Sequence, residues 1–193
     1  MSKFQYLRRN YVTALILLIL VGCATKNASK NVTNDTQKPV VSVESNKKSL
    51  VRVLSTSGFM DKEKVKLSQY IPVMDKTIGS ECFETFMLAR NMHTTQGKSN
   101  EEVVKHLRSS TVDIHLITYY KRWSKVAGYT YPDVNKIWLN RKYHAGASLC
   151  SEASNLAHEL SHKLGYGHTY KATKKRPYSV PYSINAAFTA CCE

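Results

Sequence analysis

Three imidazoles, one carboxylate and one glycine stand at fixed offsets in the chain, as His158-Glu159-x-x-His162-x-x-Gly165-x-x-His168. Neutral imidazole is a nitrogen ligand for transition metals. On a helix, two histidines four residues apart share a face and can reach one ion at about 2.0–2.1 Å. Glu159 sits one residue along, so it points beside that ion and suits a base acting on water held there. Gly165 falls where such a helix must stop. Glycine takes the left-handed conformation without steric cost, and the turn returns His168 to the same ion. Three neutral imidazoles leave the full +2 charge of zinc and one open coordination position, the arrangement of a catalytic site rather than a closed structural one. Average residue frequencies give this extended pattern by chance in on the order of one in a hundred thousand chains of this length.

A helix must position these groups. Ser148 or Ser151 is a competent N-cap, Glu152 falls in the first turn where negative charge is favoured, and the helix runs to Leu164. Ala153, Leu156, Ala157, Leu160 and Leu164 recur at helical spacing and form the stripe that packs on a core, with the histidines on its flank.

The extended motif resembles that of the metzincin clan of zinc metalloproteases. The resemblance implies Zn2+ as cofactor, His158, His162 and His168 as its ligands, and Glu159 as general base. It implies an α+β fold: a small twisted mixed sheet, an active-site helix and a minimal C-terminal subdomain. It also implies a sheet edge along the cleft, antiparallel to an extended protein or peptide substrate, and Asn135–Asn140 is the candidate for that edge. The chain departs from the clan in having no methionine after Met92, hence no methionine turn. Tyr178-Ser179-Val180-Pro181-Tyr182 is the candidate substitute. Tyr182, or Tyr178 as second choice, is then placed to hydrogen-bond a developing oxyanion; the alternative is a tyrosine packed under the helix.

Upstream, the order of elements agrees with α+β. Leu50–Leu54 and Val112–Tyr120 alternate in polarity and read as strands, as does Asn135–Arg141. Asp61–Gln69 reads as a helix ended or kinked at Pro72. Ser80 and Glu81 open another helix, with Phe83, Phe86 and Met87 inward, and Asn100–Arg108 is a third. Gly128–Pro132 reads as a bend. His93, His106, His115 and His144 have no ligand spacing and are expected in ordinary surface or core roles.

The start of the chain reads as an export leader. Lys3, Arg8 and Arg9 precede the apolar run Tyr11–Val21, which is short of the roughly 20 residues that span a bilayer. Leu20-Val21-Gly22-Cys23 resembles a bacterial lipoprotein box. That resemblance implies a signal peptide over 1–22, lipidation of Cys23, and anchoring in the cell envelope, with Ala24 pointing to the outer membrane. Residues 23–49 are polar and read as a tether, and 50–193 as the catalytic domain. Four cysteines remain, Cys82, Cys150, Cys191 and Cys192. In an exported protein an even count implies disulfides, and the adjacent pair Cys191/Cys192 is badly placed to bridge itself, so each joins Cys82 or Cys150 in one of two ways.

Lys and Arg number 28 against 14 Asp and Glu, a formal charge of +14, which suits anionic surfaces such as a membrane or cell wall. No nucleic-acid-binding module is visible, and a monomer is expected. These readings converge on a zinc-dependent envelope endopeptidase. Two alternatives stay open: a peptidase for peptidoglycan cross-links, and a non-enzymatic lipoprotein stapled by zinc.

Overall fold

A computed structural model describes residues 48–144 and 146–193. The leader, Cys23 and nearly all of the tether lie outside the described residues. Within them the chain is α+β. Strands β1 (Val51–Ser57), β2 (Val112–Tyr119), β3 (Gly128–Thr130) and β4 (Lys136–Asn140) form one sheet in the order β1-β2-β4-β3. β1, β2 and β4 run parallel, whereas β3 pairs antiparallel with β4. The helices are α1 (Asp61–Ile78), α2 (Glu81–Leu88), α3 (Asn100–Ser109), α4 (Arg141–His144), α5 (Leu149–Lys163) and α6 (Val180–Cys191).

The alternation in β2 sends Ile114 and Leu116 to the helical side, where β4 adds Ile137 and Leu139; all four are buried. Onto this layer pack Met74 of α1, Phe83 of α2, Leu107 of α3, Leu156 and Leu160 of α5 and Ile184 of α6. Each buried side chain of this size contributes about 1.5–3 kcal/mol. α3 begins with a reciprocal cap: Ser99 Oγ accepts from Glu102 N and Glu102 Oε2 accepts from Ser99 N.

Three expectations need correction. α1 does not stop near Gln69 but passes through Pro72 to Ile78. Pro72 is exposed, so its ring is on the solvent side. Leu67, Tyr70, Met74 and Ile78 continue the buried stripe across it, and this burial outweighs the lost hydrogen bond. Second, the expected bend at Gly128 contains β3, and this strand, not Asn135–Asn140, is the edge beyond β4; the opposite edge is β1. Third, Tyr178–Tyr182, the candidate substitute for a methionine turn, is largely the start of a helix. Arg176–Tyr178 makes one 3-10 turn and α6 starts at Val180, with Pro181 in its first turn, where a missing N–H costs nothing.

Candidate metal centre and catalytic site

α5 opens at Ser148, whose Oγ accepts from Ser151 N at 3.2 Å, so Ser148 is the cap. Glu152 is not a solvated first-turn acid; it is 2% exposed. Its Oε1 lies 3.2 Å from Lys66 Nζ of α1, and its Oε2 contacts His144 Nδ1 of α4. The same ammonium donates to the carbonyls of His144 and Ala147 at 2.9 and 2.6 Å. A buried charge shared this way fixes where α5 begins.

Six residues further on, the structure brings His158, His162 and His168 together, with one ring nitrogen of each within 4.8 Å of the others. His158 and His162 arrive by helical spacing. His168 arrives because Gly165 takes φ +91° and turns the chain. Each Nδ1 faces a backbone carbonyl: His158 to Pro181 O at 3.1 Å, His162 to Tyr166 O at 2.7 Å, His168 to Thr169 O at 3.1 Å. A carbonyl only accepts, so each Nδ1 carries the proton and each Nε2 keeps its lone pair. Three oriented Nε2 lone pairs fit a divalent transition metal of the zinc type, with carbonyls as the outer support that such ligands need.

Asn185 of α6 also reaches His158, its side-chain amide nitrogen standing 3.0 Å from Nδ1. Since Nδ1 already bears a proton, the amide serves it better with oxygen and nitrogen exchanged; Nδ2 then donates to Ser154 Oγ, 3.0 Å from the other amide atom. Burial, with smaller effects from the other two histidines, pushes His158 down to about 3. Burial likewise lowers His162 and His168. All three are therefore neutral at pH 7, the form that binds a metal.

Glu159 is 4% exposed. Burial pushes its carboxyl up to about 8. No hydrogen bond to its carboxylate is made among the described residues. Beside it runs the sheet edge: a Cβ built on Gly128 of β3 would stand 3.3 Å from Glu159 Oε1 and 3.2 Å from Asn155 Nδ2. β3 is held there by Lys163, the last residue of α5, whose Nζ donates to the carbonyls of Tyr131, Pro132 and Val134 at 2.7, 3.1 and 2.5 Å. A cavity of about 530 Å³ adjoins this region, lined among others by Ala127, Ser154, Asn155 and Asn185.

Tyr182 lies against the triad, its ring centroid 5.1 Å from that of His158 and 5.0 Å from that of His168. Tyr178 does not: it stands at the surface with the Arg90 guanidinium 5.1 Å from its ring. The cysteines pair as Cys82–Cys191 and Cys150–Cys192, each with Cα atoms 5.7 Å apart. Both bridges end on the C-terminal end of α6, one tying it to α2 and the other to the start of α5. The remaining histidines keep ordinary roles: His106 Nδ1 meets Tyr166 Oη at 2.9 Å and His115 Nδ1 meets Ser55 Oγ at 2.7 Å.

No protein-family profile and no curated protein matches this chain. Among the described residues no helix is long and apolar enough to cross a membrane. Sequence reasoning missed Asn185, Gly128 and Lys163 as supports of the site. Asn185 lies 27 positions from His158, a separation with no local signature. Gly128 was legible only as a turn residue.

Proposed function

We propose that the protein is a zinc-dependent endopeptidase of metzincin type, exported and held in the cell envelope by lipid on Cys23. The observation that carries the peptidase reading is a buried carboxyl group, Glu159, beside three histidines, with no hydrogen-bond partner for that group or for the histidine Nε2 atoms among the described residues. A site that only stapled the fold would have no use for Glu159. Zinc, when bound, supplies a Lewis acid that polarises the scissile carbonyl and makes water acidic near neutral pH.

The chain's own residues do the rest. An extended substrate adds to the outer edge of β3 by strand pairing, which lays its backbone past Gly128 and hence past Glu159. Gly128 offers no side chain, so the Glu159 carboxylate packs close against the edge strand and stands near a backbone paired with it. Glu159 then takes the proton of the attacking water and hands it to the leaving amine. Burial alone favours the protonated form, which cannot act as a base; the charge of a bound cation would favour the carboxylate that can. The cavity bordered by Ala127, Asn155 and Asn185, which none of the three histidines or Glu159 lines, takes a substrate side chain away from the scissile bond. Tyr182 donates to the oxyanion.

The test compares the wild type with Glu159→Gln on a mixed peptide substrate. The variant is expected to lose activity by at least about a hundredfold, the usual contribution of a general base, while metal analysis finds the same one equivalent of zinc. Equal turnover by both proteins would remove the assigned base and the peptidase reading together. The anchor is read separately, by fatty-acid labelling of the wild type against Cys23→Ser; label retained by that variant refutes lipidation at Cys23.

A further inference from the structure

We infer that Arg176 is a positioning residue that fixes the Tyr182 hydroxyl as a hydrogen-bond donor to a negative oxygen bound at the His158–His162–His168 site. The inference deepens the proposed function and rests on its metal centre.

Arg176 belongs to the run Lys174-Lys175-Arg176, and by sequence it is one more cation on a basic surface. Its neighbours lie on the exposed side, but Arg176 itself is half-buried at the start of the 3-10 turn. It makes no ion pair with a carboxylate among the described residues. Two of its N–H groups converge instead on one neutral atom: Nε and Nη2 donate to Tyr182 Oη at 3.0 and 2.6 Å. A third, on Nη1, donates to the Tyr170 carbonyl at 2.6 Å and anchors the side chain.

Guanidinium has donors and no acceptor. The phenol therefore receives from Arg176 and cannot give its own proton back. No acceptor for that proton bonds Tyr182 Oη among the described residues. The O–H is a donor without a partner, on a ring packed against His158 and His168. A hydrogen bond accepted from a cation also polarises a hydroxyl, which strengthens the bond it donates onward. Without Arg176 the phenol would be free to rotate and to accept from water, and its donor direction would be lost.

The experiment uses the full chain in detergent, loaded with Co2+, which reports ligand binding through its visible spectrum. Acetohydroxamate, which binds metals through negative oxygen, is titrated into the wild type, Tyr182→Phe, Arg176→Gln and the double variant. Each single variant is expected to bind the hydroxamate about tenfold more weakly, the size of one hydrogen bond to a charged group, with Co2+ stoichiometry unchanged. The double variant is expected to bind no more weakly than Tyr182→Phe, because Arg176 acts only through that hydroxyl. Arg176→Lys, which keeps a cationic donor, should recover part of the loss. Wild-type hydroxamate affinity in Arg176→Gln, or losses that add in the double variant, would overturn the inference while leaving the metal centre standing. No uptake of Co2+ beyond that of His162→Ala would overturn the metal centre and the inference together.

Discussion

Gly128 and Glu159 belong to different layers, one on the edge strand and one on α5, yet a single methyl on Gly128 would meet Oε1 at 3.3 Å. The strand and the carboxylate are therefore packed together, and a substrate paired on the outer edge of β3 would lie beside that contact. Gly128→Val would press branched atoms against Glu159 and Asn155 and displace the carboxylate. About a hundredfold loss in kcat/KM is expected, since small misplacements at a reacting centre cost that much. Zinc content should stay unchanged. A fully active Gly128→Val enzyme would show that the position of Glu159 against β3 is not required for turnover.

Asn185 supports His158 from α6. Outer contacts of this kind are worth about 10–100-fold in metal affinity. Asn185→Ala is therefore expected to release zinc to a competing chelator at about 10–100-fold lower chelator strength. Its fold should survive, because the Pro181 carbonyl still holds Nδ1. Unchanged competition would reduce Asn185 to a packing role.

In the metal-free protein the site should make stability depend on pH in both directions. His158 titrates near 3 when folded, against about 6.5 unfolded. Between those values the unfolded chain binds more protons, so stability is complete above about 6.5 and falls as pH drops towards 3. His162 and His168 are lowered too and act in the same sense. Glu159 acts oppositely. Its folded value near 8 lies above the unfolded value of about 4.3, so stability falls as pH rises between them. The histidines dominate below about 6.5 and Glu159 alone acts above it. Urea midpoints of the chelated protein should thus peak near pH 6.5, and bound zinc should remove the alkaline decline by favouring the charged carboxylate. A flat profile from pH 4 to 8 would contradict the buried, neutral state assigned to these four groups.

The Cys150–Cys192 bridge closes a separation of 42 residues. Chain entropy assigns a loop of that size about 4 kcal/mol. The variant Cys150→Ser with Cys192→Ser is expected to be about 2–4 kcal/mol less stable in denaturant. It should also bind zinc less tightly, since α6 carries both Asn185 and the Pro181 carbonyl. Zinc affinity equal to wild type would mean that α6 holds its place by packing alone.

The most legible part of the chain was the part governed by local spacing. The ligands His158 and His162 follow from the helix period, and Gly165 announces the turn that delivers His168. β2 was legible because Ile114 and Leu116 alternate with polar residues. β3 was not, because three residues, Gly128–Thr130, are too few to show alternation, and its pairing with β4 is decided by tertiary contacts. α6 was hidden for another reason: Val180–Cys191 has no charged residue to mark its outer face, and most of it packs against α5 and α2. Arg176 looked like a member of a basic run because nothing in its neighbours reveals that its fork closes on Tyr182.

The three imidazoles take their outer support from the carbonyls of Pro181, Tyr166 and Thr169. A carbonyl belongs to the chain path and survives any side-chain replacement at its position. Point substitution at these three places therefore leaves the tautomers of the histidines as they are. The support is vulnerable instead to changes in length: one residue inserted between Gly165 and His168, or between Ser179 and Pro181, would withdraw a carbonyl that no substitution can. Evolutionary drift in this site is thus cheap in letters and costly in spacing.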